Sequence, residues 1–334
     1  MKTRFLNRTL SSVILMTALG ATAVAEAATL KISHVRPQGA IVDQEIRDFA
    51  SEVETATEGD VKISIFAASA LGDYTTVQER ISVGAVDMAV QPAATAASRR
   101  MQISAFPYVA ENWEQARRIY GPGGVIHGAM KELYARQDIT MLAAYPVYFG
   151  GVALNTDAVA PGNPNEAKGI KVRVPGIKSF QLTSDALGYI SSPIPFSEAF
   201  TAVQTGVVDG VIGSGAEGYY ASFRDVTKTY IPVNTHFEVW YMIINSEVLA
   251  DLDAEDQEAL RKAALNFEAK RWESAEADQG EYENKLAGLG VNIVKLSDEE
   301  LTATAQKVRA EVWPQILEDI GADWGQGILD KIAN

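Results

Sequence analysis

The sequence predicts an α/β protein made of two similar domains around a ligand cleft, and three observations carry that prediction. A β-α-β-α-β succession of hydrophobic periods occurs twice, first over residues 30–90 and again over 170–212. Each succession closes on the same local pattern, Val83-Gly84-Ala85-Val86-Asp87 in one and Thr205-Gly206-Val207-Val208-Asp209 in the other. About 300 residues remain after the N-terminal leader, the length of two domains.

The leader comes first. Lys2, Arg4 and Arg8 precede an apolar run from Leu10 to Ala25, too short to cross a bilayer as a helix. Ala25-Glu26-Ala27 is an A-x-A cleavage site and Ala23-Val24-Ala25 a second, so residues 1–27 are expected to be a signal peptide. The mature chain is then expected in the periplasm. There is no cysteine, hence no lipoprotein attachment and no disulfide framework. Cleavage removes three basic residues and one acidic one, taking the formal charge from −14 to −16. So acidic a chain repels nucleic acid and anionic membrane surfaces. It also repels anionic solutes at long range, so an anion site must be locally basic.

Leu30 to His34 and Val61 to Phe66 alternate as strands, with a helix between them at Ile41 to Thr55. Asp73 can cap a helix reaching Val83, which Gly84 stops, and Val86 to Val90 is the next strand. The spacing from Glu111 to Gln137 predicts helices broken at 121–124, before a strand from Ile139 to Val147. In the second succession, strand 170–174 ends at Pro175, which cannot donate to a ladder. Helix 177–187, strand 189–194, helix 197–205 capped by Ser197, and strand 207–212 follow. Phe237 to Asn245 reads as a buried strand, Asp253 to Leu286 as one long helical stretch, and 310–320 and 327–332 as terminal helices.

Arg173 is the leading candidate for chemistry. It stands at the carboxyl end of a strand, where open α/β sheets bind ligands. Its planar fork of donors matches a carboxylate bidentately. Phe196 lies between Pro195 and a helix start, so it projects near the top of the sheet. Arg36, just past the first strand, mirrors Arg173 in the other half and is a candidate second positive contact.

Several stretches together resemble the solute-binding proteins of tripartite ATP-independent periplasmic (TRAP) transporters. They are Leu71-Gly72-Asp73, Gly84-Ala85-Val86-Asp87-Met88, Phe106-Pro107-Tyr108, the run from Lys168 to Pro175, and Pro195-Phe196 to Gly206-Val207-Val208-Asp209-Gly210. The resemblance implies that Arg173 grips the solute's carboxylate and that Phe196 lines the site. It also implies a long helix spanning both domains, with 29–149 plus 239–278 forming one domain and 150–238 plus 279–334 the other. The implied partners are a small organic acid and the membrane permease subunits of a TRAP transporter. The receptor is expected to act as a monomer, without nucleic acid, cofactor or catalysis.

One departure stands out. Many members carry Gln-Glu-Asn after Asp209-Gly210, where this chain has Val211, Ile212 and Gly213. Gly213 is expected to open space beside Arg173, walled by Tyr148, Phe149, Tyr219, Tyr220 and Trp240; Asp73 joins the ligand-facing candidates. That predicts one carboxylate on Arg173 and a bulkier remainder. Gly213-Ser214-Gly215-Ala216-Glu217-Gly218 is also a literal G-x-G-x-x-G, with Glu238 twenty residues on, so a dinucleotide-binding oxidoreductase is an alternative. An exported enzyme of another kind, or a receptor feeding a sensor, are further alternatives. His34, His127 and His236 are scattered, so no metal is expected.

Overall fold

The computed structural model describes residues 27–333. All but the last residue of the expected signal peptide lies outside them. The first half runs β1 (Ala28–His34), α1 (Ile41–Ala56), β2 (Val61–Phe66), α2 (Tyr74–Ser82) and β3 (Met88–Gln91). α3 (Trp113–Tyr120) and α4 (Val125–Ala135), split at the expected glycines, lead to β4 (Ile139–Phe149) and β5 (Gly151–Leu154). The second half runs β6 (Lys171–Val174), α5 (Lys178–Ala186), β7 (Ile190–Pro193), α6 (Phe196–Gln204) and β8 (Gly210–Ser214). Then come α7 (Ala216–Phe223), β9 (Thr229–Ile231), β10 (Phe237–Asn245), α8 (Ser246–Ala250), α9 (Ala254–Gly288), β11 (Asn292–Ile293), α10 (Asp298–Ile320) and α11 (Ala322–Ala333).

Two sheets result, ordered β2-β1-β3-β10-β4 and β11-β9-β5-β8-β6-β7. In the first, β1 is parallel to β2 and β3, while β10 is antiparallel to β3 and β4. In the second, β6 is parallel to β7 and β8, while β5 is antiparallel to β8 and β9. Each sheet is thus a parallel βαβαβ unit extended by antiparallel strands. All nine residues of β10 are buried, which is why it reads as a continuous apolar run.

The repeated Gly-Val-Asp pattern has one cause in both halves. Gly84 (φ +71°) and Gly206 (φ +73°) turn left-handed to end their helices. Asp87 Oδ2 then accepts from Lys31 N in the middle of β1 (2.7 Å), and Asp209 Oδ2 accepts from Lys171 N at the start of β6 (3.4 Å). In each half the aspartate ties the incoming strand to its parallel neighbour.

Helix α9 packs against α1 and β4 on one side and against α7 and β11 on the other, so it spans both sheets. Its polar side chains hold the connecting strand: Glu268 accepts from Ala144 N (3.0 Å), Arg271 donates to Pro146 O (2.8 Å) and Gln279 accepts from Phe149 N (2.9 Å). One buried apolar cluster takes in Tyr241 and Ile243 of the first sheet together with Val172 and Val174 of the second. Among the described residues no helix is long and apolar enough to cross a membrane.

Two local expectations are corrected. α6 starts at Phe196 with Pro195 as its N-cap, so Ser197 lies inside the first turn and caps nothing. The strand expected at 207–212 runs from Gly210 to Ser214, because the helix stop and the aspartate tie occupy 206–209.

Candidate functional site

The carboxyl ends of the parallel strands of both sheets converge on one cavity of about 590 Å³, counting space open to solvent. Val35 and Arg36 follow β1, and Pro92 and Ala93 follow β3. Arg173 and Pro175 close β6, Phe196 opens α6, and Gly213 and Ser214 end β8. Tyr148, at the carboxyl end of β4, and Glu238 and Trp240, at the start of β10, which runs antiparallel to β3 and β4, form the remaining side.

Arg173 is 1% exposed, and among the described residues its side chain makes a single hydrogen bond, from Nε to Ile194 O (2.8 Å). Among the described residues no ion pair holds it. Burial lowers its pKa, while Tyr74 and Asp73 pull the other way. A guanidinium stays protonated in proteins. The cavity therefore contains a desolvated cation held in no ion pair, its terminal nitrogens unused.

Arg36 is just as buried but in the opposite condition. Its Nε lies 3.0 Å and its Nη2 2.8 Å from Glu217 Oε2, a side-on pair joining the end of β1 to α7. Burial disfavours the Arg36 charge, but Glu217 and Tyr148 more than offset this and raise its pKa. The guanidinium also lies 4.8 Å from the Trp240 ring and 5.4 Å from Phe196. Arg36 is in the wall, as expected from its strand end, but Glu217 already neutralises it.

Phe196 sits beneath both cations, 5.6 Å from the Arg173 guanidinium as well. Tyr148 reaches Ser214 Oγ (3.2 Å) across the gap between the two sheets. Six of the expected site residues therefore meet in one wall: Arg173, Arg36, Phe196, Gly213, Tyr148 and Trp240.

The others lie elsewhere. Phe149 points into the core against Trp113 (5.7 Å) and Phe237 (5.1 Å). Tyr219 is core too, its hydroxyl 2.8 Å from both Gly151 O and Val211 O. Tyr220 packs outward on Tyr282 (5.5 Å). Asp73 caps α2 with Oδ1 and receives Ser197 N (3.3 Å) and Oγ (3.4 Å) on Oδ2, so it bridges the two halves beside the cavity. The expectation that Gly213 opens space is also overturned. Its φ is +101°, and a Cβ there would meet Pro175 Cδ at 2.7 Å and Cγ at 2.8 Å. The proline and Phe180 already fill the place a side chain would take.

The sequence reading missed Glu217, Tyr74, Gln102 and Phe180. Glu217 had a signal: a carboxylate within an otherwise small and apolar stretch, opening a helix. The glycine fingerprint resolves differently. Gly213 and Ser214 end a strand and Gly215 caps α7, as the pattern requires. Yet a Cβ on Gly215 would meet the Tyr148 ring at 2.5 Å, and one on Gly218 would collide with Ser214 and Arg36. These glycines admit side chains of the protein itself, leaving no room for a pyrophosphate. Glu238 stands in the cavity wall, fixed by Trp240 and His236.

Two α/β units with a buried, uncompensated arginine where their strand ends meet define a solute-binding receptor. The chain matches the model of the DctP family, bacterial extracellular solute-binding protein, family 7, over residues 32–319, and it belongs to that family. It is 27% identical over 306 residues to a solute-binding protein of Roseobacter denitrificans, covering 89% of this chain and 91% of that one. Its fold is similar to the sugar acid binding protein of Advenella mimigardefordensis in complex with galactonate (TM-score 0.85, 19% identity, 92% and 98% covered). It is also similar to a TRAP periplasmic solute binding protein of Desulfovibrio salexigens with bound orotic acid (TM-score 0.82, 19% identity, 91% and 97% covered).

Proposed function

We propose that this chain is a periplasmic receptor that seats one carboxylate of a small organic acid on Arg173 and delivers the acid to a TRAP-type permease. The observation that carries this is the state of Arg173: buried, charged, and without an acidic partner among the described residues. Burying a cation costs several kcal/mol unless a counter-charge arrives. A solute carboxylate supplies that charge and can accept two parallel hydrogen bonds from the terminal nitrogens. Galactonate and orotate, bound by two proteins of similar fold, each carry one carboxylate and a larger polar remainder.

The domains are 29–149 with 239–278 and 150–238 with 279–334, closing on the solute as a monomer without nucleic acid. Cleavage near Ala27 releases the mature receptor into the periplasm. Native mass spectrometry of receptor purified from the periplasm tests the reading directly. A retained organic acid, displaced on substitution of Arg173, is the expected outcome. A receptor that never carries or binds a carboxylate under any condition would sink it.

A further inference from the structure

We infer that Glu238 sets the solute class: the receptor takes a monocarboxylate that presents an N–H or O–H donor to Glu238, and it rejects dicarboxylates. The inference rests on Arg173 being the carboxylate anchor.

Glu238 lies in the wall of the same cavity, 6% exposed, near the start of β10. Trp240 Nε1 donates to its Oε1 (2.7 Å), and His236 Nε2 lies 2.9 Å from its Oε2. His236 Nδ1 in turn lies 2.9 Å from Thr235 Oγ1. With the Thr235 hydroxyl donating to Nδ1, the Nε2–H donates to Glu238. The carboxylate is thus fixed by two donors, while a carboxylate offers about four acceptor sites. The unused sites belong to a wall whose neighbours are Tyr74, Phe196, Val239 and Trp240. Among the described residues no lysine or arginine pairs with Glu238.

The charges of the site decide the class. Glu217 cancels Arg36, leaving Arg173 and Glu238 as the opposed charges that a solute meets. A single carboxylate on Arg173 uses the free cation. A second carboxylate would find no cation left and would face Glu238, and like charges in a desolvated site repel strongly. A hydroxyl, amide or ammonium instead completes Glu238's unused acceptor sites. Glu238 therefore acts as a filter, and Trp240 and His236 hold it in place.

Titration calorimetry on the intact mature receptor tests this with matched probes. One set is 4-hydroxybenzoate, 4-methylbenzoate and terephthalate; the other is pyroglutamate, N-methylpyroglutamate and glutarate. In each set the donor-bearing acid is expected to bind at least tenfold more tightly than its donorless partner, and the dianion least tightly. In Glu238→Gln the dianions should gain at least tenfold relative to the donor-bearing acids. The ranking on wild type needs no variant, so a poorly folded substitution leaves the test intact. Equal binding of donor-bearing and donorless acids, or a dianion binding best, overturns the role of Glu238 and leaves the receptor reading standing. Binding of none of the six would overturn the anchor on Arg173 as well.

Discussion

Replacing Arg173 separates what the solute gains from what the fold loses. Arg173→Met keeps an unbranched stem over Phe196 and removes the guanidinium. In the solute-free protein, the guanidinium's burial without a counter-charge costs roughly several kcal/mol. Against this stand the bond from Nε to Ile194 O, worth roughly 1.5–3 kcal/mol for a charged donor, and the contact over the Phe196 ring, worth roughly 0.5–2 kcal/mol. These terms nearly cancel, so the solute-free variant should be as stable as wild type or more so. Binding behaves otherwise: losing one partner of a desolvated charge pair costs roughly 2–5 kcal/mol, or about 30- to 5,000-fold in Kd. Arg173→Lys should also bind poorly, since a point charge cannot reproduce a bidentate fork. Calorimetry with the retained solute and denaturant unfolding of the solute-free proteins measure the two effects independently. Near-normal affinity in the methionine variant would refute the anchor. A loss of solute-free stability as large as the loss in affinity would make Arg173 a structural residue.

Four further outcomes are expected. Glu217→Gln leaves Arg36 buried and uncompensated, so unfolding free energy should fall by roughly 3–5 kcal/mol in denaturant titration; a change under 1 kcal/mol would mean the pair is dispensable. Gly213→Ala places a Cβ against Pro175 at a left-handed φ, adding roughly 1–3 kcal/mol of backbone strain and roughly 1–3 kcal/mol of overpacking, again read by denaturant unfolding. His34, faced by Asp43, Arg36 and Arg47, has its pKa lowered by burial despite the Asp43 contact. The unfolded chain then takes up a proton that the folded one refuses, so stability is full above about pH 6.5 and falls as pH drops through the lower folded value. Burial pushes Asp43 up, but bonds from Gly39, Arg47 and His34 outweigh it and hold its carboxyl low, so further stability goes below the usual carboxylate range; melting temperatures should decline from pH 7 to 5 in wild type and flatten in His34→Gln. Amino-terminal sequencing of periplasmic protein should begin near Ala28, and an intact Met1 would end the export argument.

Much of the fold could be read because its periods are local. The βαβαβ units announce themselves through alternation, helical spacing and glycine stops, each set by residues a few positions apart. β10 was visible as nine consecutive buried residues bounded by polar ones. What escaped was set at a distance. β5 is four residues long and takes its place by pairing with β8 and β9, and β9 is shorter still. α7 has no clear amphipathic pattern because residues on several of its faces are buried, against α9 and against the cavity wall. No single-segment pattern records such an environment.

The site divides along the same line, and Gly213 shows why. Arg173, Arg36 and Phe196 line the cavity because strand ends and helix starts fix where those side chains go, whatever surrounds them. Tyr148 and Trp240 followed from their place near the same edge, whereas Phe149, one position on, and Tyr219 of α7 are core residues. The consequence of a glycine depends on what stands opposite it. An empty neighbour would make Gly213 a hole; the Pro175 ring makes it a close contact, and the same proline also ends the strand that carries Arg173. Likewise the charge of Arg36 was legible, but its neutralisation by Glu217, 181 residues away in the chain, was not. The net charge available to a solute is a property of such pairs. The arginine alone predicts an anion site; the pair, together with Glu238, predicts how many negative charges the anion can carry.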